Sequence, residues 1–174
     1  MSKKTIGIEE VVTGDVTGWR GLPAQIGLRS VVVALSPVED LREPREATRT
    51  YRRCWHSDIR RASPPSPVEV WEEWDHSTVF LIEWDDPPVA NLDGTLRELG
   101  FPELILKDRR VAIGMTVEEH VYAERGLTLS IGDPYPGSEE KRRRCTHLQL
   151  YQNISLQRFL TEIGTGPDIS PHPP

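Results

Sequence analysis

Residues 120–131 read His-Val-Tyr-Ala-Glu-Arg-Gly-Leu-Thr-Leu-Ser-Ile, two strand patterns around one turn. Leu127, Leu129 and Ile131 alternate with Thr128 and Ser130, the period of two that puts apolar side chains on one face of a β-strand. His120-Val121-Tyr122 predicts the strand before it. Glu124-Arg125-Gly126 supplies the turn, and glycine is the residue that takes positive φ there without penalty. Upstream, Leu92, Leu96 and Leu99 fall on one helical face before Gly100 and Pro102, although Gly94 weakens that helix. Downstream, His147, Gln149 and Tyr151 alternate with Leu148 and Leu150 in a strand over Thr146 to Tyr151. Ser155 caps a helix with Leu156, Phe159, Leu160 and Ile163 at i, i+3, i+4 and i+7, ended by Gly164.

The first half repeats this order. Leu28, Val31, Val32 and Leu35 have helical spacing and stop at Ser36-Pro37. Val68, Val70, Trp71 and Trp74 predict a strand, Asp75-His76-Ser77 a turn, and Val79 to Trp84 a second strand. Thr48 to Trp55 is a further strand candidate, weakened by its arginines. Val70-Trp71 matches Val121-Tyr122, and Phe80-Leu81-Ile82 before Asp86-Pro87 matches Leu127-Thr128-Leu129 before Asp133-Pro134. The spacing differs by a longer middle, Leu41 to Pro67, where Ser63-Pro64-Pro65-Ser66-Pro67 predicts an exposed connection. The expected fold is therefore α+β. Two diverged helix–strand–strand units, residues 1–90 and 91–163, form one continuous antiparallel sheet or two abutting sheets packed by short helices, with a disordered tail at 164–174.

The 174 residues are 37% hydrophobic and 28% charged, which suits a globular core and not a disordered chain. The longest apolar run, Val31 to Leu35, is far short of the roughly 20 residues that span a bilayer. Met1 to Thr5 has two lysines but no apolar region behind them, so a cytoplasmic protein is expected. Cys54 and Cys145 have no neighbouring cysteine, which argues for free thiols rather than a disulfide framework. The net charge of −6 disfavours nucleic acid and is compatible with a basic protein partner.

Leu-Gly-Phe-Pro-Glu at 99–103 followed by the 120–131 stretch resembles the small repeat of the SmpA/OmlA-type outer-membrane assembly lipoproteins. The tandem β-lactamase-inhibitor proteins look like two such units joined. The matching positions are Leu99, Gly100, Pro102, Tyr122, Gly126, Leu127 and Leu129. The resemblance implies an α/β layer whose open sheet face binds another protein, and it brings no catalytic residues. Cys54 and Cys145 do not reproduce the inhibitors' disulfides, and no contact residue for a β-lactamase can be matched.

Candidate chemistry divides into two sets. Tyr51, Trp55, Trp71, Trp74 and Trp84 concentrate aromatic area in the first half, with Glu72, Glu73, Asp75, Asp85 and Asp86 among them. Such rings serve either as core or as anchors of an acid-rimmed docking face for a basic partner. The second set is Glu83, His120 and His147. Glu83 interrupts an apolar strand, and covering that face would raise its pKa. His120 and His147, on neighbouring strands, would complete an acid–base pocket if all three point into one cavity. His56 with Asp58, and Glu118-Glu119-His120, lack the ligand spacing of a metal site, so no metal and no cofactor are expected. Lys141-Arg142-Arg143-Arg144 reads as a solvated loop. The leading expectation is a protein-binding module of inhibitor or immunity type acting on a basic protein, with no nucleic acid or membrane partner. The alternative is a small cofactor-independent enzyme, a cyclase or isomerase, with a small-molecule substrate.

Overall fold

The computed structural model describes residues 7–35, 45–46, 52–59, 66–73, 78–107 and 112–164. The chain is α+β, as expected. Its elements are α1 (Ile8–Val12), α2 (Leu28–Leu35), β1 (Arg45–Glu46), β2 (Arg52–Ile59), β3 (Ser66–Glu73) and β4 (Thr78–Asp85). Then come α3 (Leu92–Leu99), β5 (Leu104–Lys107), β6 (Met115–Tyr122), a 3-10 turn (Ala123–Arg125), β7 (Leu127–Pro134), β8 (Arg144–Tyr151) and α4 (Leu156–Glu162). Among the described residues eight strands form one antiparallel sheet in the order β1-β2-β3-β4-β8-β7-β6-β5.

That order corrects the unit read from the sequence. Each half has four consecutive strands paired in chain order, preceded by α1 and α2 in the first half and by α3 in the second, and the two last strands, β4 and β8, pair to close the halves into one sheet. By position β4 therefore answers to β8, whereas the sequence match had set it against β7. The segment 41–67 holds β1, β2 and the start of β3, and Ser66 and Pro67, expected in an exposed connection, open β3. The strand candidate at Thr48 to Trp55 overlaps β2, which runs on to Ile59 and whose arginines leave it little hydrophobic signal. The tail from residue 165 lies outside the described residues.

Local chemistry sets the element ends. In α3, Asn91 Oδ1 accepts from the Gly94 N–H and Gly100 ends the helix at φ 81°. In α4, Ser155 Oγ accepts from the Arg158 N–H. After the 3-10 turn Gly126 adopts φ 67°, the left-handed region that its missing Cβ permits.

One sheet face is covered by α1, α2, α3 and the segment between α1 and α2. Ile8, Val16, Trp19, Val31, Leu35, Leu92 and Leu99 pack there on Val68, Val70, Ile82, Trp84, Leu129, Ile131 and Leu148. The Trp19 Nε1–H donates to Gly126 O at 2.9 Å, and the Leu22 N–H donates to Tyr151 O at 2.9 Å, tying the N-terminal segment across β7 and β8. The opposite face is covered in part by α4, where Phe159 and Ile163 pack on Phe80, Leu81, Val121, Ala123 and Tyr151. A register shift between Trp71 and Glu72 leaves Phe80 unmatched on β4, so Phe80 and Leu81 both serve the α4 side while Val79 serves the other. Among the described residues no helix is long and apolar enough to cross a membrane.

Candidate functional site

The polar residues of the central strands meet on the α4 side of the sheet, beyond the apolar patch that α4 covers. Cross-strand partners share a face, so the pairing register assigns them. One row runs Leu104, Val121, Thr128, Gln149, Glu83 and Glu69 across β5, β6, β7, β8, β4 and β3. The next runs Leu106, Glu119, Ser130, His147 and Asp85. Trp71, half-buried, sits opposite Leu81 at the α4 end.

Within these rows Glu83 is a hub. Its Oε1 accepts from Gln149 Nε2 at 2.8 Å and its Oε2 accepts from Trp71 Nε1 at 3.1 Å. His147 reaches the same carboxylate, with Nε2 at 3.4 Å from Oε1, while its Nδ1 lies 2.6 Å from Asp85 Oδ1. Glu83 and His147 are 8% and 6% exposed, whereas the Asp85 side chain is 60% exposed. An imidazole is thus held between a desolvated carboxylate and one that faces water. At the α4 end the Tyr151 hydroxyl donates to Leu127 O at 3.0 Å and lies 2.9 Å from Thr128 Oγ1, and burial holds the phenol well above its ordinary pKa. The arrangement can accept hydrogen bonds from a cation at Asp85, and it can hold a proton on His147 between two acids.

Of the acid–base set, Glu83 and His147 come together and His120 does not. His120 pairs with Leu129, which packs under the helices, so it lies on the opposite face. There its Nε2 is 3.5 Å from Glu118 Oε2, and burial lowers its pKa against the opposing pull of Glu118. The odd spacing between His120 and the β6 residues of the site decided this, and only the register revealed it.

The docking set is also redistributed. Trp71 and Asp85 belong to the site. Trp84 is 1% exposed within the helix-side core, so it is a packing residue and not an anchor. Glu72, opposite Val79, falls on the helix side and is buried. Asp86, at φ 48°, is paired with Arg144, which also lies 3.4 Å from Glu140. Arg143 bridges Asp93 at 3.4 Å and Asp133 at 3.1 Å, so the basic run folds back on the chain's own acids. Tyr51, Trp74 and Asp75 lie outside the described residues, and Trp55 is described only as a β2 position opposite Val70.

Glu69, Glu119, Thr128, Ser130 and Gln149 were passed over in the sequence as solvent-facing alternates. Their signal was present in part: Glu69, Thr128, Ser130 and Gln149 occupy the polar phase of strands whose other phase is apolar. Glu119 instead interrupts the apolar phase Met115, Val117 and Val121 of β6, and four of the five are buried. Cys145 is free and buried on the helix side, its Sγ donating to His147 O at 3.2 Å, and burial pushes the thiol up to about 12. Among the described residues no group of three or more His, Cys, Asp or Glu is arranged to hold a metal ion. A separate cavity of about 500 Å³ lies at the α4 end, lined by Ala24, Gln25, Glu73, Thr78, Gln152 and Arg158.

Fold and site together define an α+β protein with an eight-stranded antiparallel sheet and a carboxylate–imidazole–amide cluster on one sheet face. No family model, curated protein or solved structure matches the chain.

Proposed function

We propose that this chain is a protein-binding module of the inhibitor or immunity type, whose sheet face around Trp71, Glu83 and Asp85 receives a cationic segment of a basic partner. The observation that carries the reading is the gathering of four carboxylates, Glu69, Glu83, Asp85 and Glu119, with a half-buried tryptophan on one face. Desolvated acids strengthen the pull on an incoming cation, and an aromatic ring beside them offers area and cation–π contact. The net charge of −6 adds long-range steering toward a basic surface. The likeness to the tandem inhibitor proteins supports the same use of a sheet face, and we take the two halves as diverged copies with binding added to the first. The cytosol is the compartment this reading assumes.

Capture from native lysate with the wild type and with a Glu69→Lys, Asp85→Lys double variant tests it. A stoichiometric basic protein retained only by the wild type, and released by raised salt, is the expected result. No stoichiometric protein, together with a co-purifying small molecule, overturns it. One observation favours a second reading, the cyclase- or isomerase-type enzyme: His147 is held by contacts at both ring nitrogens, Asp85 on one side and Glu83 on the other. The co-purifying small molecule is the outcome that reading expects.

A further inference from the structure

Among the described residues the sheet ends on β5, a strand of four residues paired on one side only, to β6. Edge strands are ordinarily shielded by charge, bulges or a covering element, because their free N–H and C=O groups template pairing with another chain. Here the surroundings are apolar instead. Phe101, just before β5, and Ile113, just before β6, are fully exposed, and Ile105 in the strand is 44% exposed.

The backbone phase follows from one bond. Val121 O accepts from the Glu103 N–H, so Val121 turns its backbone groups toward β5, and its register partner Leu104, with Leu106, turns its own toward β6. Ile105 and Lys107 then turn theirs outward. A second β5 laid antiparallel about a two-fold axis through Ile105 meets this phase. Ile105 exchanges N–H···O=C bonds with its own counterpart, and Leu104 falls opposite Leu106 of the other copy as a pair without hydrogen bonds. Glu103 falls opposite Lys107 of the other copy, twice by symmetry. Both residues are exposed, and each also has a partner in its own chain: the Glu103 carboxylate accepts from the Glu124 N–H at 2.8 Å, and Lys107 reaches Glu118 at 3.1 Å. The antiparallel arrangement further brings the Phe101 end of one strand to the Ile113 end of the other.

We infer that β5 is a self-association edge, and that a second copy of this chain pairs with it to join two eight-stranded sheets into one. The charge pattern selects this occupant: Glu103 and Lys107 are equidistant from Ile105, so the strand complements itself about that residue and no other partner is needed to balance it. An isologous contact of this kind closes as a dimer and does not propagate. With the axis normal to the sheet, both copies present their Glu83 faces on the same side. The contact is small, so the dimer is concentration-dependent.

Sedimentation equilibrium of the full chain from micromolar to millimolar concentration tests the inference. The wild type is expected to pass from a 19.8 kDa monomer to a dimer. Ile105→Lys and Ile105→Glu, each of which sets like charges face to face, should weaken association at least tenfold. Because residue 105 meets itself, an equimolar mixture of these two variants should dimerise where neither does alone. Circular dichroism of each variant establishes that it is folded, and Phe101→Ser, remote from the strand's hydrogen bonds, should weaken association independently. A wild type that stays monomeric at millimolar concentration overturns the inference. So does a dimer that survives both single variants, or a mixture that fails to associate while the wild type does, since another chain or another surface would then occupy the edge.

Discussion

Glu83→Leu and Glu83→Gln separate the two things that the central carboxylate contributes, a hydrogen-bonding shape and a charge. In the wild type its oxygens accept from Gln149 Nε2 at 2.8 Å and from Trp71 Nε1 at 3.1 Å. Leucine leaves both donors without that acceptor. A buried orphan costs about 1–3 kcal/mol. Gln149 is 5% exposed and should fall high in that range, while half-buried Trp71, which water can partly solvate, should fall low. Leucine's own burial returns a small part, so a net loss of about 2–4 kcal/mol is expected. The amide of Glu83→Gln keeps the shape. Its oxygen still accepts from Trp71, and its NH2 can donate to the Gln149 carbonyl once that side chain turns over. Its cost should stay within about 1 kcal/mol. Urea unfolding followed by tryptophan fluorescence, compared at equal m, reads the difference directly. A leucine variant as stable as the wild type would show that the donors are solvated and refute the desolvated hub. A glutamine variant as damaged as the leucine one would show that charge, not hydrogen-bond geometry, is what the site depends on.

Gly126→Ala should cost at least about 2 kcal/mol and lower the melting temperature by several degrees, because φ is 67° and a Cβ would lie 2.1 Å from Tyr151 O. Differential scanning calorimetry checks it, and an unchanged melting temperature would mean that the crossing of Gly21 and Tyr151 over this residue yields freely. Cys145, its thiol pushed up to about 12 by burial, should resist iodoacetamide in native protein at pH 8 and label fully in urea, read by peptide mass mapping. Since the folded value lies above the ordinary 9.0, its contribution to stability is complete below that pH and is lost as pH rises from 9.0 to about 12. His120 has the opposite sense: a folded pKa below 6.5 makes the unfolded chain bind the proton first. Its contribution is present above pH 6.5 and lost as pH falls below it, so His120→Gln should flatten the decline in stability on the acid side of pH 6.5. A decline of the same slope in that variant would assign the loss to another group.

The helices were legible because their signals are local. Asn91 and Gly100 bracket α3, and Ser155 begins α4, each through bonds made within one turn of chain. The strands with clean alternation, β4, β7 and β8, were legible for the same reason. What alternation could not report was the second phase. In β4 every residue from Thr78 to Trp84 is buried, so both faces are covered, although the sequence marks only one as strongly apolar. The Phe80 bulge adds to this by sending two consecutive side chains to the α4 side. Trp84 illustrates the cost of reading aromatic density without phase: it belongs to the helix-side core, while Trp71, thirteen residues earlier, belongs to the site.

By itself the sequence determined the α+β class, the extents of α2, α3 and α4 though not the one-turn α1, the Gly126 turn and the candidacy of Glu83 and His147, since each depends on periodicity or on the conformational freedom of single residues. The tertiary structure decided the rest. The β4–β8 pairing brings residues 83 and 147 into contact, and the register sends His120 and Trp84 to the other side. Side-chain phase has a period of two, so a shift of one residue in pairing reverses which face a residue serves. That shift is set by long-range hydrogen bonds and bulges, which leave no mark in any one stretch of chain.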